Sequence, residues 1–458
     1  MTPDELLAVA DRIVGDARPG EQVEAVASWS RDTEVRAYEG AVEQFTSAES
    51  AGVGVRVVVD GRVGFAWAGT FDDAAVRDAL ADARDNATFA TRDPFAGLVA
   101  PDGVPVAELS LYDDRLGSTT TDEKIALAIE LEASIRAADP RISGIDSVDY
   151  GDQTAVTAVV STTGIRTASA ETGCSLSAYV LASDGDETTE GFGFSVGRHP
   201  GDLDIGAASA DAVMRAVRML GAKPARSERL TVVLDPWVTA QLLGIVAEAF
   251  SADAVLKGRS LFAGRLGESI ASPLVTLIDD PTDPAGWGAT ETDGEGVATR
   301  RTTLITDGVA TGFLYDGYTA RALGAPGTTG SAVRYGFKST PGPGAQAVGL
   351  VPGTRTAEEV WAEVGDGIVI QEVSGLHSGV NPVSGDFSTG AEGVRIRGGQ
   401  PAESIREVTI ASTLQRMLAD VVAVGGDLQH FPMDSSGVSL AIADVTLSCA
   451  GDPTGGDR

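Results

Sequence analysis

The sequence predicts an α+β protein in two domains, residues 1–225 and 226–458. The first is expected to be an antiparallel sheet carrying helices, the second a β-rich unit with two amphipathic helices. Three observations carry this reading: a hairpin signal at residue 60, helical segments with acidic starts, and a polar break just before residue 230. A chain of 458 residues also exceeds the usual size of a single core.

In "VRVVVDGRVGFAWAG" (55–69) two β-rich runs flank Asp60-Gly61, a pair that tolerates the positive φ of a tight hairpin turn. The segments 72–84 and 121–138 show helical apolar spacing after acidic starts, the second opening on a Thr121 cap. Residues 144–197 alternate short β-like runs with turns. "GAKPARSER" (221–229) is the break, and "LTVVLDP" (230–236) begins a strand. The stretch 237–255 places Val238, Leu242, Ile245 and Ala249 on one helical face, and 409–424 does the same with Ile410, Leu414, Met417 and Val421.

Composition limits the function classes. A net charge of -32 repels phosphate backbones, which argues against direct nucleic-acid binding. The N-terminus has no basic segment followed by an apolar one, and no window approaches the roughly 18 apolar residues of a membrane span, so a cytoplasmic location is expected. Two cysteines, Cys174 and Cys449, cannot make a disulfide framework and read as buried, reduced thiols.

Motif chemistry is sparse. The three histidines, His199, His377 and His430, are far apart, so no helical histidine pair can bind a metal, and a histidine site would need distant loops. "GLHSG" (375–379) puts His377 where a nucleophile elbow needs serine. "GVGVRV" and "GFGFSVG" lack the third glycine of a dinucleotide fingerprint, and no phosphate-loop Gly-Lys-Ser or Gly-Lys-Thr occurs. The acidic stretches 183–191 and 291–296 lack calcium-loop spacing and read as solvated turns. "SGLHSGVNPVSGDFSTGAEG" (374–393) supports two readings: backbone turned tightly to line a cleft or interface, or a set of ordinary hairpin turns.

Several long segments in order then resemble the TldD/PmbA family of metalloprotease-related proteins. They include "GVGVRVVVDGRVGFA" (52–66), "DGEGVATRRTTLITDGVATGFLYDGYTAR" (293–321), "TTGSAVR" (328–334), the 374–393 stretch with its continuation, and "REVTIASTLQRMLADVVAVGGDL". In the family's metal-bearing subunits a helix after a strand like "LTVVLDP" carries His-Glu-x-x-x-His. Aligned on Leu242-Leu243, those places hold Gly244, Ile245 and Ala249, none able to ligate a metal or act as a base. Cys449 lies later than the family's ligand cysteine, and that role is not carried over.

The resemblance therefore implies a PmbA (TldE)-type subunit with no cofactor and no catalytic residue of its own. It would pair with a TldD-type chain that supplies zinc, forming a heterodimer that cleaves unfolded or extended peptides in an enclosed cavity. His377, Asn381, Ser384, Gly385 and Asp386 are the candidates to face that cavity or the partner. Without the partner a homodimer is open. Two other readings stand beside this one: a self-sufficient metallopeptidase with a non-standard metal site, and a protein-binding modulator of the gyrase-modulator kind.

Overall fold

The computed structural model describes residues 1–449. Its first half is built on one six-stranded antiparallel sheet: β1 (Gln22–Tyr38), β2 (Ala41–Val59), β3 (Arg62–Ala68), β4 (Ile142–Ser161), β5 (Arg166–Asp184) and β6 (Glu187–Gly197), in the order β3-β2-β1-β4-β5-β6. Asp60 and Gly61 turn β2 into β3 with φ of 49° and 71°, as the Asp-Gly pair predicts.

Four helices cover one face of this sheet: α1 (Pro3–Gly15), α2 (Asp73–Phe89), α3 (Thr121–Ala138) and α4 (Ile205–Arg218). Val23, Ala25, Val55 and Val57 pack under α1 and α2, while Val35, Tyr150, Leu176 and Val180 pack under α3 and α4. The helices sit very close. A Cβ on Gly64 would lie 1.9 Å from the Ala83 carbonyl of α2, and one on Gly193 would lie 2.1 Å from the Ala208 carbonyl of α4. Glycine is therefore required at both strand positions. The cap of α3 is Thr120 rather than Thr121: its hydroxyl accepts from the Glu123 N–H, with the Glu123 carboxylate returning to the Thr120 N–H.

The second half is built on strand β7 (Glu228–Leu234). It pairs in parallel with Gly367–Ser374 and antiparallel with Leu440–Cys449. Gly367–Ser374 continues to Asp386–Arg397 and Gln400–Thr413, and this last strand pairs back onto Leu440–Cys449, closing the sheet on itself. Helix α5 (Pro236–Glu248) contributes Val238, Leu242, Leu243 and Val246 to the core this encloses.

Several expectations need correction. The expected helix over 409–424 is mostly strand: Gln400–Thr413, one helical turn at Leu414–Ala419, then strand Val421–Val424. Pairing with two neighbouring strands outweighs the helical spacing of Ile410, Leu414, Met417 and Val421. The helix expected over 237–255 ends at Glu248, and a short helix resumes at Ala252–Leu256. Ile245 is half-buried, packed against the edge of the core that Val238, Leu242 and Ala249 enter. Cys174 is buried, but Cys449 is only half-buried.

The stretch 291–296 is not a solvated turn. Asp293 and Glu295 are 4% and 1% exposed. Glu295 belongs to a buried ionic set in which Arg56 bonds Glu24 at 2.6 Å and Glu295 at 3.2 Å, while Arg334 bonds the other oxygen of Glu24. Glu24 and Arg56 come from the first sheet, Glu295 and Arg334 from the second half. Four charges that no local spacing connects thus tie the halves together. Among the described residues, no helix is long and apolar enough to cross a membrane.

Candidate functional site: a cleft between helix α5 and the glycine-rich loop

Helix α5 begins where Asp235 caps it. The Asp235 carboxylate accepts from the Val238 N–H at 2.8 Å, and Pro236 occupies the first helical position, where a missing N–H costs nothing. Burial pushes the Asp235 carboxyl up to about 6, against the pull of Arg215 3.1 Å away. Trp237, in the first turn, packs against Phe192 and Phe194 of the first sheet and against Phe431. The start of α5 is thereby held from both halves.

The side of α5 turned away from the core faces a cleft of about 1100 Å³. Gly244, Ile245 and Ala249, the three positions where the family resemblance looks for metal ligands and a base, all line it, together with Gln241 and the exposed carboxylate of Glu248. Glycine offers no donor atom, and isoleucine and alanine offer only hydrocarbon. These residues do not fit a zinc ion. Among the described residues, no group of three or more His, Cys, Asp or Glu side chains is placed to hold a metal.

The glycine-rich loop forms the facing wall. Gly375 takes φ +75° and opens a single helical turn, Leu376–Gly379, which presents His377 to the cleft. Leu376, Val380, Pro382 and Val383 line the same wall. The other candidates do different work. Asn381 Oδ1 accepts from the Val383 and Ser384 N–H groups at 2.9 and 3.1 Å, and Ser384 Oγ donates to Asp386 Oδ2 at 2.7 Å. Gly385 is buried at φ +84°, its carbonyl accepting from the Leu414 N–H. Of the five, only His377 lines the cleft; Asn381, Ser384, Gly385 and Asp386 build the turn that carries it.

Sequence reasoning missed Glu248, Asp253, Arg259 and Tyr335, which also line the cleft; Tyr335 is 84% exposed. A signal existed for one of them. Gln241, Gly244, Ile245 and Glu248 recur at helical spacing opposite the apolar face of α5, which marks a second functional side of the same helix. Chemically, the cleft combines an apolar floor, an imidazole, and charges of both signs. Such a surface can hold an extended chain by its backbone and contact alternate side chains.

Comparison with known proteins places the whole chain. Models of the PmbA/TldA metallopeptidase domains match in order: domain 1 over residues 23–87, the central domain over 114–220 and the C-terminal domain over 227–449. The metalloprotease PmbA of Escherichia coli O157:H7 is 26% identical over 394 residues, covering 85% of this chain and 84% of that protein. A Thermotoga maritima crystal structure, named as a proposed modulator of a DNA gyrase, superposes with a TM-score of 0.87 at 26% identity, covering 97% of this chain and 99% of that one. TldE from Thermococcus kodakarensis has the same fold, with a TM-score of 0.87 at 23% identity over 97% of this chain and 99% of that one. With three domain models matched in sequence order across most of its length, the chain belongs to the PmbA/TldD metallopeptidase family.

Proposed function

We propose that this chain is the non-catalytic partner of a TldD-type zinc metalloprotease subunit, acting in the cytoplasm on unfolded or extended peptides. The observation that carries this is the α5 wall of the cleft. Gly244, Ile245 and Ala249 stand where a family metal helix would present ligands, yet the cleft itself is large and well formed. In this reading the partner supplies zinc and the general base, and this chain supplies a binding wall.

The chemistry of that wall suits a peptide. Ile245, Leu376, Val380 and Val383 offer hydrocarbon to alternate side chains, and His377 offers a hydrogen-bonding group at the mouth. Recognition chiefly through main-chain groups would give weak sequence preference. His377→Ala in the assembled heterodimer is the test. The reading expects assembly to persist while KM for an unstructured peptide rises several-fold. Unchanged KM and kcat would remove the loop from substrate binding.

A further inference from the structure

In the second half, strand Leu277–Asp279 runs between Thr302–Thr306 and Val348–Leu350 in a small antiparallel sheet. Asp279 pairs with Thr302, so Asp280 on one strand and Arg301 on the other leave the ladder side by side. With Asp283 and His430 they border a pocket of about 200 Å³. Trp287, Leu350, Leu428 and Met433 supply its apolar wall. The pocket is distinct from the cleft, although Met433 and Ser435 line both and form a shared wall.

The charged groups here are oriented but unsatisfied. Asp280 Oδ1 accepts from the Thr282 N–H at 3.2 Å and from its hydroxyl at 2.6 Å, and Asp283 Oδ1 accepts from the Ala285 N–H at 3.0 Å. Each carboxylate is thereby fixed through one oxygen. The other oxygen of Asp280 faces Arg301 Nη1 at 4.0 Å, and that of Asp283 faces His430 Nε2 at 3.8 Å, both too long for a hydrogen bond. Among the described residues, neither the Arg301 guanidinium nor the His430 ring makes a hydrogen bond elsewhere. Two carboxylate oxygens and a forked donor thus border one small space without satisfying one another.

We infer that this pocket binds a free α-amino acid with an apolar side chain. The ammonium group bridges Asp280 Oδ2 and Asp283 Oδ2, the carboxylate takes the Arg301 fork, and the side chain lies on Trp287, Leu428 and Met433. Charge selects this class. A simple anion would meet two carboxylates and a simple cation would meet Arg301, whereas a zwitterion gives each group a partner of opposite sign. Size limits it further, because the pocket is smaller than the roughly 300–1,000 Å³ that drug-sized ligands occupy. A single amino acid fits where a peptide does not.

Free amino acids are also what complete cleavage of a peptide leaves, so the class agrees with the proposed function without resting on it. Binding belongs to the isolated chain and is read without cleavage, so its failure leaves that function untouched.

The experiment is calorimetric titration of the full chain with L-leucine, leucinamide and N-acetylleucine. Leucine is expected to saturate one site, and each blocked analogue to bind about tenfold more weakly or worse. Arg301→Gln should weaken leucine by about tenfold or more yet leave leucinamide unchanged, since the amide lacks the carboxylate that Arg301 holds. The double variant Asp280→Asn with Asp283→Asn should weaken leucine likewise and leave N-acetylleucine unchanged. Retained binding of the insensitive analogue shows that each variant is folded. Absence of leucine binding at about 10 mM overturns the inference, as does leucinamide binding as tightly as leucine, or leucine binding that Arg301→Gln leaves unaltered.

Discussion

Arg215 Nη1 lies 3.1 Å from Asp235 Oδ2, so a cation on α4 of the first half steadies the residue that caps α5 in the second. The same nitrogen donates to the Gln371 carbonyl at 3.0 Å, and the guanidinium stacks 4.6 Å from the Phe192 ring. The cleft-bearing helix is thus positioned through contacts that cross between the halves.

Arg215→Ala should therefore destabilise the chain by on the order of 3 kcal/mol, because it leaves Asp235 buried without its cation. Burial already raises the Asp235 carboxyl to about 6, and losing Arg215 raises it further. The carboxyl is then readily neutral at pH 5 and must ionise in a poor environment at pH 8. Urea denaturation at the two values should show the larger loss at pH 8.

Asp279 permits a cleaner titration. It is fully buried, its Oδ1 accepts from the Gln346 and Ala347 N–H groups, and its Oδ2 has no hydrogen-bond partner. Burial raises its carboxyl from 3.8 to about 6. The folded chain thus holds this proton more tightly than the unfolded one, so the group's stabilising effect is full below about pH 4 and is lost as pH rises through about 6. Asp279→Asn should gain roughly 1–3 kcal/mol on the wild-type chain between pH 4.5 and pH 8, measured by denaturant midpoints.

The ionic set Glu24–Arg56–Glu295–Arg334 should be far more sensitive than any surface pair. Arg56→Ala leaves Glu295 buried without its cation and Glu24 with Arg334 alone, both carboxylates being at most 2% exposed, and should cost about 3–5 kcal/mol. Arg12→Ala breaks only the exposed pair with Asp73 and should cost about 1 kcal/mol or less. Equal losses in the two variants would mean the buried set contributes no coupling between the halves.

Within the loop, Gly379 and Gly375 should respond differently. A Cβ at Gly379 would lie 2.1 Å from the Ser388 carbonyl oxygen, backbone that cannot move aside, whereas at Gly375 the nearest atom is 3.6 Å away. Gly379→Ala should cost about 2 kcal/mol from overpacking, and Gly375→Ala about 1 kcal/mol from its positive φ alone. Thermal melts of both variants would rank them.

What could be read from the sequence was local. Asp60-Gly61 announced its hairpin because the turn chemistry lies in two adjacent residues, and α5 was visible through its contiguous apolar spacing, although Asp235 and Pro236, read as the end of the preceding strand, in fact cap and open the helix. What failed depended on distant partners. Residues 409–413 look helical until the strands at 386–397 and 440–449 flank them, and Glu295 looks solvated until Arg56 arrives from 239 positions away. The cleft was half legible: His377 stood out, but its opposition to Gly244 and Ile245 exists only in three dimensions.

The most direct measurement of the central claim is cleavage of an unstructured peptide by the purified chain alone and mixed with a TldD-type subunit from the same organism. The account predicts cleavage only in the mixture, abolished by a chelator. Chelator-sensitive cleavage by this chain alone would contradict it, because Gly244, Ile245 and Ala249 cannot hold the metal such activity requires.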